Sequence, residues 1–257
     1  MSLSRFARGG MPLSRQGLVA WLVSARGRKL LELEQAEMQR VLPDVFGRHV
    51  LQIGSWGQQG ELLSGAETLH RAVLGTVRDE AAASAVIDPE QLPLPAKSVD
   101  AVILPHSQEF AASPHNVLRE ASRVLNDRGR LFLLGFSPWS GWAVLRLLGL
   151  RYRAFPPGAR FYSAGRMCDW LELLDFEVSE VRRFGTGFPW LHSRSEREAW
   201  SLGSLLNPFA EAYLLVAKKR VLPVNLVGRV QRAQIKPLVG VPVPSAQNTA
   251  SFEKPET

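Results

Sequence analysis

The chain has 257 residues, 46% of them hydrophobic, enough to enclose one substantial core, and α/β domains of this size commonly stay undivided. Its single cysteine, Cys168, excludes an intrachain disulfide, a cysteine-rich zinc site and a CxxC redox pair. A net charge of +7 invites a nucleic-acid or anionic-membrane reading, but its distribution weakens that: residues 1–29 and 218–236 carry bases and no acids, whereas residues 30–217 sum to −4.

In chain order, Lys29 to Leu42 sets Leu30, Leu33, Met38 and Val41 at mostly helical spacing before Pro43, which predicts an amphipathic helix on the edge of the core. His49 to Ile53 reads as a short apolar strand, followed by a glycine turn and a helix starting near Gln58. Arg71 to Val77 predicts a second strand, Arg78 to Ala83 a very short helix or turn, and Ser84 to Asp88 a third strand. Asp100 to Leu104 and Leu131 to Phe136 are apolar without alternation, as expected of parallel strands covered on both faces. Between them, Asn116 to Leu125 is a helix with Val117, Ala121 and Val124 on one face.

The chain then turns aromatic, basic and proline-punctuated, predicting a helix from about Trp139 to Leu148 and a loop around Pro156 and Pro157. Ser163 is placed to cap a helix through Leu174, with strands at Phe176 to Arg182 and Ala212 to Ala217. From Leu222 onward the sequence has no periodicity and reads as an extended or disordered tail. The expected organisation is therefore an N-terminal helical extension (1–44), a domain (45–220) and a basic tail (221–257). The N-terminus lacks an apolar core followed by a small-residue cleavage site, and no run is apolar enough to span a bilayer, so a soluble, cytoplasmic protein is expected.

The most specific segment is Val86 to Phe136, VIDPEQLPLPAKSVDAVILPHSQEFAASPHNVLREASRVLNDRGRLFLLGF. An acid after a short apolar run, a Leu-Pro turn, a strand opened by Ser-Val-Asp, a polar loop, an Arg-Glu helix, a Gly turn and a second apolar strand follow one another. This order resembles the class I methyltransferases that use S-adenosylmethionine, particularly the small-molecule type related to the ubiquinone and menaquinone methyltransferases. The resemblance runs over about residues 49 to 183. It implies a three-layer α/β fold with a seven-stranded, mostly parallel, Rossmann-like sheet in the order 3-2-1-4-5-7-6, S-adenosylmethionine as cofactor, and methyl transfer to a small molecule.

The resemblance also assigns candidate residues. Gln52, Gly54, Ser55, Trp56 and Gly57 occupy the first glycine turn, where glycines permit close backbone approach to the cofactor. Gln52 stands where the family has an acid, and it offers a hydrogen bond but no carboxylate. Trp56 stands where the family keeps a small residue; it either meets the sulfonium or an aromatic acceptor by cation–π attraction or covers the sheet edge. No acid falls at the end of strand two for the ribose hydroxyls, unless Asp79 serves. Asp88 matches the adenine-binding acid, Pro89 after it lacks the usual backbone N–H donor, and Leu92 completes the matching turn.

Leu104 and Pro105 end the fourth strand, at the edge where open parallel sheets bind ligands. His106 and Glu109 beyond them are the candidates to orient an acceptor or take its proton. The five His show no HxxxH or HExxH pattern, so no metal site is expected. Arg119, Glu120 and Arg123 secure helix and loop, His115 caps or faces solvent, and Cys168 falls on an apolar helix face. Trp139, Trp142, Phe155, Phe161 and Tyr162, interleaved with Arg146, Arg151, Arg153 and Arg160, read as a lid over an apolar or aromatic acceptor, a membrane-surface helix or a stacking surface for RNA, with aromatic packing on the sheet as the structural alternative. The resemblance favours the lid, because insertions after strand five cap the acceptor pocket in that family. A binding or scaffold protein with an altered cofactor site, and an RNA methyltransferase using the basic ends as phosphate contacts, are the competing functions. The oligomeric state is open.

Overall fold

The apolar runs become strands at the centre of one sheet because neither of their faces reaches water. The computed structural model describes residues 21–57, 60–75, 84–140, 159–185 and 210–220. In it, β1 (His49–Ile53), β2 (His70–Gly75), β3 (Ala85–Val86), β4 (Val99–Pro105), β5 (Leu125–Phe136), β6 (Phe176–Phe184) and β7 (Ala212–Lys219) form a seven-stranded sheet. The order is β3-β2-β1-β4-β5-β7-β6; β1 to β5 run parallel and β7 lies antiparallel to both of its neighbours. This is the three-layer, Rossmann-like α/β arrangement that the motif order implies.

Alternation along the strands sorts side chains into a core on each face. On one face Val50, Ala101, Ile103, Phe132, Leu134 and Leu214 pack with Leu30, Met38 and Val41 of α1 (Ala25–Val41). On the other, Leu51, Val102, Leu131 and Leu133 meet Val117 and Val124 of α3 (Pro114–Val124) and Met167 and Leu171 of α4 (Ala164–Glu172). Each buried Leu or Met contributes about 1.5–3 kcal/mol, an upper bound because the unfolded chain already hides part of that area. The short α2 (Ser107–Phe110) follows β4 directly.

Helix α1 begins earlier than the periodicity predicts because Ser24 caps it, its side chain accepting from the Gly27 N–H. The segment set apart as an extension thus shares a core with the sheet. Ser163 caps α4 in the same way, accepting from the Arg166 N–H.

Several elements differ from expectation. In place of the helix predicted from Gln58, the described residues hold one 3-10 turn, Glu61–Leu63. It is entered from Gly60 at φ 69°, and Gly65 follows closely against Gln39 of α1. Glycines disfavour a longer helix here, and α1 already lies against this turn. Strand β3 shrinks to Ala85–Val86, both exposed at the sheet edge. Strand β5 starts at Leu125, which pairs with Val99 before the register shifts. The turn at 78–83, the helix beyond Ser140, the Pro156–Pro157 loop and the tail from 222 lie outside the described residues. Among the described residues no helix is long and apolar enough to cross a membrane.

Candidate active site

Strand order reverses between β1 and β4, and in open parallel sheets the crevice beyond the strand ends at such a point receives the ligand. The chain leaving β1 carries Gly54, Ser55, Trp56 and Gly57; the chain leaving β4 carries His106. Gly54 and Gly57 have φ of 94° and 75°, a left-handed conformation that favours glycine. A Cβ on Gly57 would also lie 2.6 Å from Glu61 Oε2. Ser55 is buried.

The two exits meet. Trp56 and His106 are buried, with ring centroids 4.2 Å apart, and the ring of Phe136 at the end of β5 lies 4.0 Å from that of His106 and 6.2 Å from that of Trp56. His106 itself sits at φ 55°, a backbone strain held by the Leu134 carbonyl accepting from its N–H. Its Nδ1 lies 2.9 Å from Glu109 Oε2 and its Nε2 lies 2.8 Å from Glu34 Oε1. Trp56 Nε1–H donates to the other oxygen of Glu34, and the Phe136 N–H donates to Glu109 Oε1 at 2.6 Å. All three ionisable groups are inaccessible to solvent.

Burial pushes the Glu34 carboxyl well above the usual range, the Trp56 hydrogen bond opposing it only in part. Burial also raises Glu109, against the pull of His106 and the Phe136 N–H. Nearby, Glu211 pairs with Arg26 at 2.6 Å, yet burial raises it to about 7.

The sequence reading missed Glu34 and Phe136. The signal for Glu34 was its position: it falls between Leu30 and Met38 on the buried stripe of α1. Glu37 on the same stripe meets Arg182 at 3.2 Å.

The other candidates are placed as follows. Gln52 is buried on the face that α1 covers; its amide donates to the Gly54 carbonyl at 2.9 Å and its Oε1 has no hydrogen-bond partner among the described residues. Leu104 and Pro105 are buried at the end of β4. Asp88 is exposed beyond β3, with Oδ1 accepting from the Glu90 N–H. The buried Leu92 donates its N–H to Glu120. Arg123 binds Glu120 and the carbonyls of Leu92 and Leu94, so this pair ties α3 to the loop. His115 is exposed and stacks on Trp170, and half-buried Cys168 packs against the α3/α4-side core.

Of the proposed lid, Phe161 packs edge-on against Phe136, Tyr162 contacts Trp170, Trp139 is exposed, and Arg160 donates to the Ala112 carbonyl. Trp142, Phe155, Arg146, Arg151, Arg153 and Asp79 lie outside the described residues. No group of three or more ligating side chains suits a metal among the described residues.

The donor set fits S-adenosylmethionine in part. The orphaned Gln52 carbonyl calls for an N–H donor such as the cofactor's ammonium, because a buried acceptor without a partner is costly. The glycine turn offers backbone access, and Asp88 stands at the same sheet edge.

Residues 65–133 match a family described as a methyltransferase domain. The chain is 38% identical over 143 residues to the uncharacterised protein YafS of Escherichia coli, a match covering 54% of this chain and 56% of that one. An uncharacterised Mycobacterium tuberculosis protein is 31% identical over 156 residues, covering 58% of this chain and 53% of that one. The chain thus spans about half the length of the curated relatives it matches. Among solved structures, an S-adenosylmethionine-dependent methyltransferase of Thermotoga maritima superposes with a TM-score of 0.56 at 16% identity, covering 80% of this chain and 95% of that one. The cyclase SpnF superposes with a TM-score of 0.50 at 17% identity, covering 76% and 81%. Sheet order, strand-end geometry and the superposition agree on the class I methyltransferase fold, and within it residues 65–133 match the methyltransferase domain family.

Proposed function

We propose that this chain binds S-adenosylmethionine at the β1/β4 crevice and transfers its methyl group to a small-molecule acceptor. The observation that carries this reading is the orphaned Gln52 carbonyl beside the glycine turn, at the position where the class I methyltransferases that the sequence resembles carry an acid. The bound cofactor supplies an activated methyl group. The chain's part is to hold donor and acceptor in line and exclude water, and positioning alone can supply much of the barrier reduction. His106 has both ring nitrogens engaged by carboxylates, so it acts in this site through Glu34 and Glu109. Calorimetric titration with S-adenosylmethionine and S-adenosylhomocysteine tests the reading. Saturable binding supports it, and no heat at millimolar ligand sinks it.

A second reading is a binding protein that keeps the fold and has given up methyl transfer. Pro89, which lacks the N–H expected to reach the adenine, and the absence of a carboxylate at Gln52 favour it. The likeness to a cyclase shows that this fold is not tied to one reaction. Cofactor binding without methyl transfer to any of a panel of amines, phenols and thiols would favour this second reading. Of the basic ends on which an RNA acceptor would depend, Arg26 is paired with Glu211 and Lys219 donates to the Ser122 and Leu125 carbonyls, while residues 1–20 and 221–257 lie outside the described residues.

A further inference from the structure

The hydrogen bonds around His106 fix a proton count. Glu34 Oε2 accepts from Trp56 and Glu109 Oε1 accepts from Phe136, which leaves one oxygen of each carboxylate facing one ring nitrogen. Each of those two contacts holds one proton. Two protons shared among two carboxylates and one imidazole leave a single negative charge, whichever atoms carry them.

The charge can sit at either end. With Glu34 protonated and donating to Nε2, Nδ1–H donates to an ionised Glu109. Moving the Nδ1 proton to Glu109 and the Glu34 proton to Nε2 transfers the charge to Glu34. The imidazole stays neutral, and no bond other than O–H and N–H changes. Glu211, the neighbouring carboxyl whose titration Glu34 raises, is paired with Arg26 and also feels Lys29 of α1.

We propose that Glu34, His106 and Glu109 act as one unit carrying a single negative charge at the β1/β4 crevice. This charge makes the site select a cationic ligand, the sulfonium methyl donor, over its neutral thioether product. It stands in for the carboxylate absent at Gln52, and it reaches the glycine turn through the bond from Glu34 to Trp56. The buried, unpartnered Gln52 Oε1 on the same sheet face adds a second electron-rich group. The inference rests on the cofactor reading given above. Its functional consequence is product release, since transfer of the methyl group removes the ligand's positive charge.

The test uses the full chain and three ligands: S-adenosylmethionine, sinefungin, which carries a protonated amine in place of the sulfonium, and S-adenosylhomocysteine. The wild type is expected to prefer the two cationic ligands by ~10-fold or more, the scale of one opposite charge acting over several ångströms in a partly screened site. Glu34→Gln and Glu109→Gln should each keep that preference, because the remaining carboxylate carries the charge. The double variant should reduce it to about twofold or less while thermal melting confirms folding. A wild-type ratio near one, loss of the preference in either single variant, or its persistence in a folded double variant would overturn the inference. Wild-type binding of all three ligands with equal affinity leaves the cofactor reading standing and removes this inference alone. Binding of none removes both.

Discussion

Trp56 and His106 lie just beyond the ends of different strands, β1 and β4, with their rings 4.2 Å apart, and one carboxylate, Glu34, binds both. The helix α1 is thereby fastened to the strand ends where a ligand of this fold lies. A change in α1 should therefore be felt at the site as well as in the core.

The indole N–H is the testable part of that fastening. Trp56→Phe keeps a ring against His106 but leaves a Glu34 oxygen buried without its donor, a loss expected to cost about 1–3 kcal/mol. Urea denaturation should show a lower midpoint with an unchanged slope. An unaltered midpoint would mean that the Trp56 to Glu34 bond contributes nothing.

Glu211 sets a pH dependence. Burial raises its carboxyl from 4.5 to about 7 against the pull of Arg26. A raised carboxyl binds its proton more tightly in the folded state, so its contribution to stability is full below pH 4.5 and is lost as pH rises through about 7. Glu211→Gln has no proton to lose. Thermal melts between these limits should show a smaller fall in stability with rising pH in the variant than in the wild type. Parallel curves would contradict the assignment.

Arg123 bridges α3 to the loop through the Leu92 and Leu94 carbonyls while holding Glu120, which in turn accepts from the Leu92 N–H. The pair is partly solvent-exposed, so Arg123→Ala should cost only about 1 kcal/mol or less. Its effect should be local. Hydrogen exchange at the Leu92 amide should quicken while that of the central β5 amides stays slow.

Gly135 pairs with Tyr213 across β5 and β7, and an added Cβ would lie 2.5 Å from the tyrosine Cζ. Tyr213 is buried and donates its hydroxyl to the Tyr162 carbonyl at 3.0 Å, so it has little room to yield. Gly135→Ala should destabilise by about 1–3 kcal/mol through overpacking. Combining it with Tyr213→Leu should cost less than the two single losses added together. Simple additivity would show that the contact is not the cause.

The sequence by itself determined the sheet. Apolar runs such as Val102 to Leu104 and Leu131 to Leu134 bury side chains alternately into both cores, so their strand character is written in local composition. The helix caps at Ser24 and Ser163 are equally local, each closing within three residues, although the first went unread. Glycine placement shortened the element after Gly60, and three-residue 3-10 geometry is a close competitor that periodicity resolves poorly.

Tertiary structure alone decided the site. Glu34 meets Trp56 and His106 from 22 and 72 residues away, and Glu109 meets Phe136 from 27. Each partnership depends on strand order and on where α1 crosses the sheet. A carboxylate on a helix stripe looks like a solvated charge until the fold takes away its water. Burial then obliges it to find donors, and the groups within reach are those that the β1/β4 junction brings together.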